Sequence, residues 1–293
     1  MQIQSLSIVV PNKTCINKCP SCVSRMHCND YANRMNNNSP DFDLALRDYL
    51  ERLAFARDNG CNTVMLTGTS EPQQNRTFLT YFGMMQKMLP QPFRWVEMQT
   101  TGVLIDKDYL KFLHRHVGVN LISLSLFSLD GYTNAETIGS PSLYKMELNA
   151  LCQAIKRNGF GLRLSLNLTR NFENYVTDPE TLFAICKNMG ADQVTLRVLY
   201  ESNGDTDQDK WVRENALPLH MVLNFKSYVQ NNGHKLGVLP HGAVKYSING
   251  MSVVLDSDCM DKEEKSDENY KYLILREDCK LYSQWDDPAS LIF

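Results

Sequence analysis

The chain has 293 residues, 43% of them hydrophobic, with nine cysteines and a net charge of −3. No stretch approaches the eighteen or more apolar residues of a membrane span, and the charge is too even for a nucleic-acid-binding footprint. The cysteine count is odd, and residues 1–10 lack the charged segment of a secretion signal, which speaks against a disulfide framework and for a reduced, cytoplasmic setting.

In chain order, the strand-like stretch IQSLSIVV (3–10) is followed by a loop rich in cysteine and then by a helical period over 41–60. Strands are expected at NTVMLTG (62–68), FRWVEMQTT (93–101), NLISLSLF (120–127), GLRLSLNL (161–168) and QVTLRVLY (193–200). Helical periodicity fills the gaps at 76–89, 106–118, 142–159 and 178–190 and follows the last strand at 215–233, with Asp or Ser opening three of these segments and Gly closing most. Six βα units with right-handed crossovers make an α/β protein, a partial (β/α)6 TIM-type barrel over residues 1–233.

Beyond Gly233 the alternation ends. VKYSINGMSVVLD carries Asn249-Gly250 between alternating apolar residues, a strong hairpin signal, and YKYLILREDCKLYSQW reads as a second hairpin turning at Arg276 to Cys279. Residues 234–293 are therefore expected as a small β-rich C-terminal cap packed on the open end of the barrel. From Asp256 onward eleven acidic residues face five basic ones, which leaves the preceding 255 residues at about +3, too scattered for nucleic acid but compatible with a phosphorylated small molecule.

The loop KTCINKCPSCVSRMH (13–27) places Cys15, Cys19 and Cys22 in a C-x3-C-x2-C pattern, where a parallel barrel keeps its chemistry, just after a strand. Their Asn, Lys, Pro and Ser neighbours set them in a polar loop and not on an apolar face. Zinc would want a fourth ligand, which His27 or Cys28 could supply. An iron–sulfur cluster held by three thiolates would keep one iron open. Cys61, Cys152 and Cys186 fall in regular segments and read as core.

This motif, in the first loop of a six-unit βα chain, resembles the radical S-adenosylmethionine (radical SAM) superfamily. The resemblance implies that Cys15, Cys19 and Cys22 hold a [4Fe-4S] cluster whose fourth iron is chelated by S-adenosyl-L-methionine (AdoMet). Thr67-Gly68-Thr69-Ser70-Glu71-Pro72 resembles the Gly-Gly-Glu-Pro element, which implies that Gly68, Ser70 and Glu71 receive the methionine ammonium; an acid near a helix N-terminus is the alternative for Glu71, and its place after a glycine-containing strand end favours the first. Gln99-Thr100-Thr101-Gly102 is similar to the Thr-Asn-Gly turn of relatives of the GTP 3′,8-cyclase, with a hydroxyl of Thr100 or Thr101 for the cofactor carboxylate and Gly102 for the turn. Ser125, in a strand resembling Val-Ser-Leu-Asp, Asn167 and Arg197 are the further carboxylate and ribose partners that it implies, although an ion pair with a helix also suits Arg197.

Ser123, Ser125 and Phe127 share one face of their strand, as do Arg163, Ser165 and Asn167 of the next, and polar faces in a parallel sheet are costly unless they line a site. Where the family often has an aromatic before the third cysteine this chain has Ser21, so adenine contacts fall to Phe127, Tyr200 or backbone. The strand-end motifs are nearest to the GTP 3′,8-cyclase-like and SPASM or twitch branches, without assigning a subfamily. The cap resembles a degenerate SPASM or twitch extension with only Cys259 and Cys279 remaining.

The activity so implied is reductive cleavage of AdoMet to a 5′-deoxyadenosyl radical that takes hydrogen from a small-molecule or nucleotide substrate, served by a low-potential donor such as flavodoxin or ferredoxin. A first strand at Ile3 leaves no room for an N-terminal leader-binding domain, which ranks a peptide-modifying enzyme second. A non-enzymatic iron–sulfur or zinc regulatory protein is the third reading. Lys235, His241, Lys245 and Arg276 are expected as solvated charges or as contacts to substrate phosphate or acid groups. Substrate, fate of AdoMet, oligomeric state and metal binding by the cap are not legible in the sequence.

Overall fold

A computed structural model of the chain describes residues 2–27, 42–238, 243–256, 269–285 and 287–293. All six expected strands form, as β1 (Gln2–Val9), β2 (Thr63–Thr67), β3 (Trp95–Thr100), β4 (Leu121–Leu126), β5 (Gly161–Asn167) and β6 (Gln193–Arg197), paired in parallel in that order. The connecting helices are α1 (Val23–Met26), α2 (Phe42–Asp58), α3 (Arg76–Met88), α4 (Lys107–Phe112), α5 (Gly131–Ile138), α6 (Leu148–Arg157), α7 (Pro179–Asn188), α8 (Asp207–Asn215) and α9 (Leu219–Asn232); all but α1, α5 and α8 fall in the expected periodic segments.

The departures have local causes. The helix expected over 142–159 starts late because Glu147 caps it, accepting from Asn149 N (3.0 Å) and Ala150 N (3.1 Å). The segment 106–118 changes at Leu113 into a π turn to Val117, closed by Gly118 at φ 84°. Helices α5 and α8 are too short to show a period, yet each has a strong cap: Asp130 accepts from Thr133 N (2.7 Å), and Thr206 with Asp209 forms a capping box.

The C-terminal portion is β-rich, and its strands lie in the same sheet. After β7 (His234–Val238), the strands β8 (Val244–Ile248) and β9 (Met251–Asp256) form the expected hairpin, with Asn249 and Gly250 at φ 52° and 74°. β10 (Asn269–Leu275) and β11 (Leu281–Tyr282) form the second, turning through Cys279 at φ 65°. β9 pairs in parallel with β6, and β10 in parallel with β1. The order across the sheet is β11-β10-β1-β2-β3-β4-β5-β6-β9-β8-β7. A six-stranded sheet that does not close leaves two edges with unpaired backbone groups, and the two hairpins cover them.

One face of this sheet is apolar: Leu6, Ile8, Val64, Leu66, Val96, Met98, Ile122, Leu124, Leu162, Leu164, Val194 and Leu196 are buried in the core cluster that the helices share. Cys61, Cys152 and Cys186 are buried there as expected. The other face carries the alternating polar residues. No helix among the described residues is long and apolar enough to cross a membrane.

Candidate active site

The cysteine loop leaves the C-terminal end of β1 and is tied down along its length. Asn12 Nδ2 donates to Ser70 Oγ (2.8 Å) and to the Glu71 carbonyl (3.3 Å), and Gln74 binds it twice, accepting from Ile16 N (2.8 Å) and donating to the Thr14 carbonyl (3.0 Å). Lys18 N donates to the Ile138 carbonyl (3.0 Å), and Arg25 Nη2 to the Asn17 carbonyl (2.8 Å). Cys15, Cys19 and Cys22 are all half-buried and form no disulfide.

Burial is the main influence on the Cys19 thiol, pushing it up to about 12, with Cys22, Cys15 and Glu71 adding to the effect. Burial likewise raises Cys15, against opposing backbone hydrogen bonds from Asn17 and Glu71. Thiols raised in this way ionise most readily beside a cation, and soft sulfur donors suit an iron–sulfur cluster. Among the described residues no three His, Cys, Asp or Glu side chains converge on one metal-ion position. A cluster spreads its ligands over separate irons, so the thiols need not meet at a point. Cys28 and Cys259 lie outside the described residues. The chemistry of the three thiols fits a cluster better than a single metal ion.

Glu71 stands at the head of a short 3-10 turn, 3% exposed, and its carboxylate is met on all sides by protein donors. Oε1 accepts from Thr100 Oγ1 (2.5 Å) and Gln73 N (3.4 Å); Oε2 accepts from Thr101 N (3.0 Å), Thr101 Oγ1 (2.9 Å) and Asn17 Nδ2 (3.2 Å). Both threonine hydroxyl protons are thereby directed to Glu71. Desolvation raises its pKa, and the bonds from Thr100, Thr101 and Gln73 oppose the rise. Gly102 turns the chain at φ 82°, where a side chain would strike Leu151.

The concave face of the sheet borders a cavity of about 990 Å³ that reaches from Thr67, Gly68 and Arg197 at the C-terminal strand ends to Trp95 and Asn120 at the N-terminal ends. Arg163 and Thr195 also line it. Strand register places Ser123 beside Arg163, Ser125 beside Ser165, Ser165 beside Thr195, and Asn167 beside Arg197, so all share this face. Ser123, Ser165 and Asn167 are buried, and among the described residues none of their side chains meets a protein hydrogen-bond partner. Their polar atoms stay open to the cavity, where water or a ligand bonds to them.

Sequence reasoning passed over three groups here. Asn17, inside the motif itself, bridges Glu71 and Thr101 (Oγ1, 3.0 Å). Glu97 and Gln193 pair with Arg163: Nη1 lies 2.7 Å from both Glu97 oxygens, and Gln193 Oε1 accepts from Nε (2.9 Å) and Nη2 (2.7 Å). The alternation of Glu97 and Gln99 with Val96 and Met98 was the signal that could have found this pair's first member.

The remaining expectations divide. Phe127 is buried edge-on against Trp211, whereas Tyr200 is half-buried beside His27, at the end of the cysteine loop. Lys245 lines the cavity and Lys235 is exposed on an outer strand. Arg276 is corrected: it is 2% exposed, its guanidinium sits over Tyr282 and Trp285 and donates to the Trp285 carbonyl, so it is neither a surface charge nor a phosphate contact. Cys279 is buried, its sulfur 3.9 Å from the Ala45 carbonyl. His241 lies outside the described residues.

No protein-family model matches the chain, and no curated protein sequence matches it. Solved structures do. Native anSMEcpe with bound AdoMet superposes over 98% of this chain and 77% of its own, at 14% identity and a TM-score of 0.59. Native anSMEcpe with bound AdoMet and Kp18Cys peptide matches 78% of this chain and 59% of its own, at 17% identity and a TM-score of 0.52. At these identities the likeness establishes the fold, a parallel-sheet barrel of the partial TIM type with a β-rich C-terminal portion.

Proposed function

We propose that this chain is a radical SAM enzyme. The observation that carries the reading is the placement of three half-buried thiols in the first βα loop, at the C-terminal mouth of a barrel whose concave face presents polar side chains open to the cavity. The fold shared with AdoMet-bound structures supports it. Cys15, Cys19 and Cys22 would hold a [4Fe-4S] cluster, and Gly68, Ser70, Ser125, Asn167 and Arg197 would surround AdoMet, with Thr100 and Thr101 shaping the turn beneath it. Once bound and reduced, that pair supplies a 5′-deoxyadenosyl radical. The protein orients the substrate C–H and keeps solvent out of the cavity.

A small molecule or nucleotide is the substrate class we favour, drawn by Arg197 and Lys245 along the cavity. A peptide is the second reading, supported by the peptide held in one similar structure. An electron donor such as flavodoxin or ferredoxin completes the system.

Anaerobic reconstitution tests the proposal. About four irons per chain, and AdoMet converted to 5′-deoxyadenosine on reduction, are expected. Tight binding of a single zinc without cleavage would instead identify a regulatory metal-binding protein. Deuterium transfer into 5′-deoxyadenosine from labelled nucleotides, metabolites or peptides then decides the substrate class.

A further inference from the structure

We propose that Glu71 is a positioning residue for the three cysteines, acting through Asn17, and is not a partner of the cofactor ammonium. The inference rests on the reading above for the purpose of the loop, but its geometry stands apart from it. A carboxylate offers about four lone-pair sites. In Glu71 all are taken by five protein donors from three segments, at 2.5 to 3.4 Å, and the residue is 3% exposed. An ammonium approaching it would have to displace Asn17 or a threonine.

Asn17 lies between Cys15 and Cys19, so the strut from Glu71 reaches the loop at its centre. The Asn17 carbonyl in turn accepts from Arg25, three residues past Cys22, which joins the last thiol to the same network. Thr100 and Thr101 belong to the end of β3 and the turn after it. The position of the thiols is therefore referred to β3 as well as to β1. Removing one member of such a buried network leaves its partners unsatisfied, which is the costly case.

Full-length protein carrying Asn17→Ala, Glu71→Gln or both decides the matter, first without iron and then after reconstitution. Amide exchange across residues 12–19 and maleimide labelling of Cys15, Cys19 and Cys22 are expected to accelerate roughly tenfold or more in each single variant. The double variant should be no faster than the faster single one, because both cut the same strut. After reconstitution, the electron paramagnetic resonance g values of the reduced cluster should shift in both single variants before AdoMet is added. AdoMet binding to the cluster-loaded fraction should change by less than about threefold, the range of minor rearrangement.

Wild-type exchange in both single variants overturns the proposal. So does Glu71→Gln with an unshifted cluster signal but AdoMet binding weakened tenfold or more. Asn17→Ala removes only the outermost strut and keeps the test readable if Glu71→Gln does not fold. A wild-type chain that takes up no four-iron cluster would remove the enzyme reading, while the exchange measurements would still decide the strut.

Discussion

Arg163 illustrates what a single residue does on the concave face. Its guanidinium is one quarter exposed, while its partner Glu97 is 3% exposed. Replacing Glu97 by Ala leaves a cation on the cavity wall with only Gln193 beside it. A loss of about 1–3 kcal/mol is expected in urea unfolding, below the 3–5 kcal/mol of a fully buried pair because water reaches Arg163. Asp209 is the second case: buried at the start of α8, it accepts from Ser202 N (2.8 Å), Ser202 Oγ (2.8 Å) and Thr206 N (3.3 Å) and so fixes the loop that carries Tyr200. Desolvation works to raise its pKa, but the bonds from Thr206 and Ser202 prevail and hold it below the ordinary 3.8. A depressed acid stabilises the fold above its unfolded value and loses that contribution as pH falls through the folded one. Asp209→Asn should therefore cost about 1–3 kcal/mol at neutral pH, with the gap to wild type closing below pH 3.8, as followed by denaturant midpoints across pH.

Among the elements, α3 packs against the π turn Leu113–Val117 through a glycine. A Cβ on Gly83 would lie 1.9 Å from the His116 carbonyl oxygen and 2.9 Å from Val117 Cα, both backbone atoms that cannot rotate away. Gly83→Ala is expected to lower stability by about 1–3 kcal/mol or more, against the usual gain of an alanine inside a helix, and thermal unfolding would read the sign. Helical periodicity found α3 readily, since Phe78, Leu79, Phe82 and Met85 are buried on one face. It did not find why residue 83 is glycine, because the group it clears belongs to a turn thirty residues on. The short helices α5 and α8 escaped for the opposite reason: eight or nine residues are stabilised by their caps and packing more than by any period of their own.

For the molecule as a whole, the sheet joins the chain's distant parts. Leu273, Ile274 and Leu275 of β10 are fully buried beside β1, the strand that launches the cysteine loop. A chain ending at residue 268 would expose that edge, and we expect it to aggregate on size exclusion and to lose amide protection in β1, where a separable lid would leave both intact. The order of the six barrel strands and the longer helices between them, the hairpin at Asn249-Gly250, the polar face at Arg163, Ser165 and Asn167, and the grouping of three thiols after the first strand were all determined by the sequence alone. They depend on period, turn chemistry and spacing, which are local. Only the tertiary structure decided that the C-terminal hairpins join the two sheet edges, that Arg276 is interior, and that Glu71 faces Asn17 and the two threonines. Each of these depends on which backbone edges and buried polar groups remain unsatisfied once the barrel has formed, and that is settled between segments far apart in the chain.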